Sequence, residues 1–321
     1  MKHLSRMIAV LTLGLTMMMS PTHAQDAPLH VLVGFPPGGA TDVIARMMAD
    51  KLRVSLNRPV VVDNKPGAGG MVATQQLKAA APDGNTVMLT IDHSHVIVPL
   101  TFKNPGYNPL TDFTPLAGVA SYYTVMVINS GIGVKSMPEF GAWLKANPSK
   151  ANYGIPATGS IPQFAGLLVG KALGTPMVDV AYKGGAPLVQ DLLGGQVPAG
   201  FLSLTESIEY HRVGRMRILA VSGSTRAQAA PEVPTFQEQG IKGIDQNPWL
   251  AFFGPKGMSA DFVDRFGRAV QSALNDPEFA EKMAKLGNVA TYLAPAKLQD
   301  EVDKATRHWG PVIKSSGYEL Q

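Results

Sequence analysis

Residues 29–42 read LHVLVGFPPGGATD, and this stretch decides the architecture. LHVLVGF, residues 29–35, is a short apolar run rich in β-formers and is expected to be a strand. PPGGA (36–40) breaks that run with two glycines, and a helix is expected from about Thr41. In that helix Ile44, Met48, Leu52 and Leu56 recur every four residues and form one apolar stripe. The rhythm then repeats. VVV (60–62) reads as a second strand, closed by Asp63, Asn64 and the turn-rich segment 66–70. A helix follows to about Ala81 and stops at Pro82-Asp83-Gly84, and TVMLTI (86–91) reads as a third strand. This βαβαβ order implies a parallel sheet covered by helices.

The alternation resumes after residues 109–115. Strands are expected at 123–128, 152–155, 178–182, 199–202 and 216–221, with helices at 136–146, 162–173 and 186–193. After WLAFF (249–253) the chain turns mainly helical, at 260–274, 277–286 and 295–315. Linker-like patches flank 123–128 and 249–253. A chain passing out at the first and back at the second makes one discontinuous domain around an inserted one. The expected core side chains are Val31, Val33, Ile44, Met48, Val61, Leu89, Val125, Val127, Leu219 and Val221.

Composition bounds the function. The 321 residues are 45% hydrophobic and 16% charged, ordinary for a globular chain of about two domains. Zero cysteine excludes a disulfide framework, thiolate chemistry, zinc–thiolate and iron–sulfur sites and a lipidated cysteine. Residues 1–24 carry Lys2 and Arg6 ahead of an apolar run, then Ser20-Pro21 and the small residues Thr22 and Ala24, the pattern of a cleavable export signal. Without them 26 basic residues face 24 acidic ones, so the apparent pI near 9.1 says little. Basic residues are dispersed and interleave with no aromatic stripe, so no nucleic-acid partner is expected. No other run approaches the ~18 apolar residues of a membrane span.

Three glycine loops sit at expected strand ends. Gly38, Gly39, Ala40 and Thr41, following Phe35, offer backbone N–H groups and a helix N-terminus to a carboxylate or phosphate, or else merely turn the chain and cap the helix. Ala157, Thr158, Gly159 and Ser160 precede Pro162, which suits a first helical turn. Tyr182, Lys183 and Gly184 follow a third strand. Ser203, at the end of the 199–202 strand, joins the set. Ligands of open α/β sheets bind at such carboxyl ends. Asp92-His93-Ser94-His95 occupies another. His30, His211 and His308 are scattered and supply no third metal ligand, so Asp92 and His93 are expected to make polar ligand contacts rather than hold a metal. No G-x-S-x-G, H-E-x-x-H, Walker A or G-x-G-x-x-G pattern occurs. Neither a catalytic centre nor a cofactor is therefore expected. A secreted α/β enzyme acting on small carboxylates, or a solute sensor docking to a signalling partner, are the alternatives.

The same segments resemble the Bug-type extracytoplasmic solute receptors, the substrate-binding proteins of tripartite tricarboxylate transporters. The matching stretches are VGFPPGGATDVIAR (33–46), PVVVDNKPGAGG (59–70), APDG (81–84), YNPLTDFTP (107–115), YKGGAPLVQDLLGG (182–195), PEVPTFQEQG (231–240) and WLAFFGP (249–255). They run in order through the whole mature chain. The resemblance implies a type II periplasmic-binding-protein fold, with two α/β domains, a ligand cleft between them and two crossover segments. It implies a signal peptide at 1–24, domain 1 at 25–124 and 249–321, and domain 2 at 125–248. A monomeric periplasmic receptor is expected, partnered by a small carboxylate and by membrane transporter components. The carboxylate is expected on the 38–41 loop, with Thr158, Gly159, Ser160 and the 182–184 turn facing it and Asp42 capping nearby. Three departures stand out. Ile161-Pro162-Gln163 replaces a common Ser-Pro-His, leaving Gln163 without a titratable ring. Pro198 replaces an acidic residue, and Asp92-His93 replaces small polar residues. A negative Asp92 disfavours a second ligand carboxylate, so a monocarboxylate, or a ligand with a polar or cationic group opposite Asp92, is expected.

Overall fold

A computed structural model describes residues 27–286 and 288–321; the expected signal segment lies outside the described residues. In chain order the first part holds β1 (Leu29–Val33), α1 (Ala40–Ser55), β2 (Val60–Asn64), α2 (Met71–Ala79) and β3 (Thr86–Ile91). A π-helical turn (His93–Ile97) runs into α3 (Val98–Thr101), and β4 (Phe113–Ser121) follows. The next part holds β5 (Thr124–Asn129), α4 (Met137–Ala146), β6 (Asn152–Ile155), α5 (Ile161–Ala172) and β7 (Val178–Ala181). It continues through α6 (Gly185–Leu193), β8 (Ala199–Ser203), α7 (Leu204–Arg212) and β9 (Met216–Val221). The last part is β10 (Trp249–Pro255), α8 (Ala260–Leu274), α9 (Pro277–Lys285), β11 (Val289–Leu293) and α10 (Pro295–Ser315).

The strands form two sheets, ordered β11-β4-β10-β3-β1-β2 and β7-β6-β8-β5-β9. Both are mixed, where the βαβ rhythm alone implied parallel pairing. β2, β1 and β3 are parallel, as are β7, β6 and β8. β10 runs antiparallel to β3 and β4, and β5 runs antiparallel to β8 and β9. β5 and β10 are the first strands after each passage between sheets, β4 leading directly into β5 and β9 leading back to β10; β11, antiparallel to β4, is reversed as well. Tyr122 N–H donates to Pro248 O at 3.1 Å, and Ser222 N–H to Thr124 O at 2.8 Å, so the two crossovers lie side by side.

Apolar side chains on both faces of the central strands are buried, as continuous hydrophobic runs require. Val31 and Val33 join one core cluster with Ile44, Met48, Leu52 and Leu56, while Leu32 between them joins the opposite one. In the second sheet Met126 and Ile128 point one way and Val125 and Val127 the other. Nine of the ten expected core residues are buried. Val61 is not, at 41% exposure, because β2 is an edge strand whose covering helix meets only Val60 and Val62. Four labelled elements escape the sequence pattern: α3, β4, α7 and β11. β4 is hidden by Pro115, which a central strand tolerates here because its partner Phe253 sits at a register shift.

α5 approaches β6 closely. A Cβ at Gly166 would overlap the buried Tyr153 ring, whose hydroxyl donates to Gln163 O at 2.7 Å. Overpacking of this kind costs about 1–3 kcal/mol. Gly166→Ala should therefore lower the urea midpoint by that equivalent at unchanged slope; a neutral effect would contradict the packing described.

Candidate functional site

The parallel blocks point their carboxyl ends at the crossovers, and a cavity of about 310 Å³ opens there. Its walls come from both sheets. Phe35 follows β1, Gly69 lies in the turn after β2, and Ile91, Asp92 and His93 end β3. Pro156 and Ala157 follow β6, while Ser160, Ile161 and Pro162 form the N-terminus of α5. Leu202, Ser203 and Glu206 surround the β8–α7 junction, and Tyr122, Thr124 and Pro248 bring in both crossovers. The lining is mostly apolar. It holds two carboxylates and no Lys or Arg among the described residues.

Of the residues expected from sequence, Phe35, Asp92, His93, Ala157, Ser160 and Ser203 line this cavity. Gly38, Gly39, Ala40 and Thr41 stand at the start of α1, outside the lining. The Gly38 N–H donates to Asp42 Oδ2 at 2.8 Å, and Arg46 Nε and Asn64 Nδ2 reach the same carboxylate. These bonds hold the Asp42 carboxyl below the usual carboxylate range against the burial that opposes them. Asp42 thus ties the loop to its helix, and Gly39 is the cap residue.

Thr158 is exposed and Gly159 buried, both beside the cavity wall. Gln163 is engaged internally: its Oε1 accepts the Gly159 N–H at 2.7 Å and its Nε2 donates to Asp179 at 3.2 Å. Tyr182 donates to Asp191 at 2.8 Å; burial and that carboxylate push its hydroxyl up to about 12. Lys183 is exposed, and the Gly184 N–H donates to Pro156 O.

The π-helical turn separates the two histidines of the Asp92–His95 segment, because residues two apart point to opposite sides of a helix. His93 faces the cavity. His95 is fully buried and stacked on Phe253 with ring centroids 3.8 Å apart. No group of three or more His, Asp or Glu among the described residues could hold a metal.

Burial dominates the electrostatics. Asp92 is 5% exposed, and its Oδ1 accepts the His93 N–H at 2.8 Å. Desolvation pushes its carboxyl up to about 7. The same effect brings His93 down to about 4 and His95 to about 3, so both rings are neutral at pH 7. The Tyr122 hydroxyl is held well above its ordinary range by burial, then by the charges of Asp92 and Glu206. Ser160 Oγ donates to Ala157 O at 2.6 Å, shaping the entry to α5.

Glu206, Tyr122, Thr124, Gly69 and Pro248 were not anticipated. Glu206 had a local signal: Ser203-Leu204-Thr205-Glu206 is a capping box, and both of its reciprocal bonds are formed. The crossover residues had none, since only the joining of the two sheets brings them to the cavity.

The raised Asp92 carboxyl has a consequence for stability. Between about pH 4 and 7 the folded protein binds a proton there that the unfolded chain has released, so Asp92 weakens the fold as pH rises through that window. Asp92→Asn should melt a few degrees above the parent at pH 8, with the gap closing toward pH 4. His93 and His95 act oppositely, and their stabilising contribution declines as pH falls from about 6.5 toward 4 and 3. Melting curves from pH 4 to 8 check both; an Asp92→Asn gain independent of pH would contradict the assignment.

Among the described residues no helix is long and apolar enough to cross a membrane. Residues 44–318 match the model of the tripartite tricarboxylate transporter family receptor. The chain is 31% identical to Protein BugT of Bordetella pertussis, over 99% of this chain and 100% of that protein. Its structure is similar to that of the periplasmic binding protein BugD, with a TM-score of 0.78 and 32% identity over 92% of this chain and 99% of the other. It is also similar to MatC from Rhodopseudomonas palustris with bound malate, with a TM-score of 0.77 and 26% identity over 90% and 99%. A two-domain α/β architecture with its cavity at the crossovers, matched along nearly the full chain, makes this protein a member of the tripartite tricarboxylate transporter receptor family, a family of solute-binding proteins.

Proposed function

We propose that the protein captures a small carboxylate-containing metabolite in the cavity between its two lobes and delivers it to a tripartite tricarboxylate-type membrane transporter, without transforming it. In this reading residues 25–124 and 249–321 form domain 1, and residues 125–248 form domain 2. Segment 1–24 is an export signal, and the mature chain acts as a periplasmic monomer. The observation that carries the reading is the cavity's position: one wall belongs to each sheet, and the pair of crossovers lies between them. Rotation about so short a seam brings one wall onto the other, the hinge closure of two-lobed binding proteins. The malate held by MatC supports a small carboxylate as the solute.

The anion seat is supplied by backbone. α5 begins at the cavity, so its partial positive end faces the solute; Pro162 has no N–H and Gln163 N–H donates to Ser160 O, which leaves Ile161 as the N–H of the first turn for an anion. The loops at 38–41, 158–159 and 182–184 stand at the carboxyl ends of β1, β6 and β7, where they close over a bound solute as the lobes approach. A mature protein of this kind has a saturable response to one solute and no turnover.

A thermal-shift screen of mono-, di- and tricarboxylates, aromatic acids and amino acids tests this. One chemical class should raise Tm saturably, by the equivalent of about 2.7 kcal/mol at a hundredfold excess over Kd. Ala157→Trp places a bulky ring on an exposed wall residue; it should weaken binding at least tenfold and leave the unliganded Tm within a few degrees. Steady product formation by the purified protein would overturn the receptor reading in favour of an enzyme.

A further inference from the structure

The carboxylates around the cavity divide into those anchored by several groups and one that accepts only adjacent backbone N–H groups. Glu206 is bonded: its Oε2 accepts the Ser203 N–H at 3.0 Å and the Ser203 hydroxyl at 2.6 Å. A Cβ at Gly185, the first residue of α6, would overlap Glu206 Oε1, so only glycine there lets the carboxylate rest against that helix start. Glu206 therefore fills the anion seat between the N-termini of α6 and α7 with a group of the protein's own. Asp42 does the same at the first glycine loop, where it takes the Gly38 N–H.

Asp92 differs. It is more than nine-tenths buried and lines the cavity, yet its side chain has no partner beyond backbone N–H groups of itself and His93 among the described residues. The neighbouring His93 Nδ1 is buried and also without a partner among them. Leaving a carboxylate so poorly bonded in an apolar wall is costly, and the cost is relieved by a group that donates hydrogen bonds to it. With no Lys or Arg in the lining among the described residues, a cationic donor to that carboxylate can come only with the solute.

We propose that the cavity selects a solute carrying a protonated nitrogen, which Asp92 receives, while Glu206 repels a second carboxylate. This deepens the receptor reading and rests on it: the solute is an amino-carboxylate rather than a dicarboxylate. An ammonium beside Asp92 and inside the Glu206 rim gains attraction from both, strengthened by the apolar surroundings. A second carboxylate meets repulsion from both and finds the α6–α7 seat occupied. A carboxylate paired with a protonated Asp92 is the competing contact, and amide substitution distinguishes the two, because Asn keeps the ability to donate but not the charge.

Calorimetry and thermal shift at pH 7.5 on the mature chain use five-carbon probes differing in one group: 5-aminopentanoate, 2-aminopentanoate, pentanoate and glutarate. One amino-carboxylate should bind at least tenfold more tightly than pentanoate and glutarate. Asp92→Asn should abolish that advantage, and Glu206→Gln, which can retain the cap, should narrow the discrimination against glutarate. Tightest binding of glutarate overturns this proposal and leaves the carboxylate receptor standing. So does an amino-carboxylate affinity unchanged in Asp92→Asn. Binding of 1,5-diaminopentane with no response to any carboxylate sustains the role of Asp92 and overturns the carboxylate reading, and silence from every probe overturns both.

Discussion

The Tyr122 N–H donates to the Pro248 carbonyl, and this bond ties together the two places where the chain passes between its sheets. Nearby, Thr124 and Ser222 exchange bonds: Ser222 N–H to Thr124 O, and Thr124 N–H to Ser222 Oγ at 3.0 Å. Ser222 Oγ in turn donates to Asn247 at 2.9 Å. The reversed strands β5 and β10 each follow a passage through this seam, which brings the carboxyl ends of both parallel blocks toward one place. Strand ends from both sheets, at Phe35, Asp92, Ala157 and Ser203, are therefore carried to the same cavity. Without the paired crossovers each sheet has only half of it.

Inside that cavity the decisive quantity is hydration. Two carboxylates and an unprotonated imidazole share a mostly apolar wall, and no cationic side chain among the described residues lines it. The cost is distributed unevenly. Glu206 is anchored by the Ser203 N–H and hydroxyl, while Asp92 keeps a single neighbouring N–H besides its own. Burial thus acts chiefly on Asp92 and His93, and shifts both toward their neutral forms. Net charge along the chain is nearly balanced and predicts none of this.

Much of the scaffold was legible because its signals are local. A strand–glycine–helix unit needs only apolar periodicity and a break, and β3, β6, β9, α8 and α10 begin and end where such patterns do. β4 was concealed because Pro115 in a central strand contradicts the usual rule, and only its partner's irregular register explains it. Val61 looked like core because its neighbours are valines, but exposure depends on what covers an edge. For the cavity, Phe35, Asp92, His93, Ala157, Ser160 and Ser203 were accessible as strand ends. Glu206 was accessible in principle through its capping box. Tyr122 and Pro248, separated by more than a hundred residues, were not.

What the sequence determined by itself is a two-part α/β chain whose glycine loops sit at strand ends, together with the family that those motifs mark. Turn chemistry and periodicity act over a few residues, so they can be read in order. The tertiary structure decided which amides remain available, which carboxylate accepts only adjacent N–H groups, and which of two nearby histidines lines the cavity. Those outcomes depend on desolvation and on contacts between distant segments, and both exist only once the two sheets are joined.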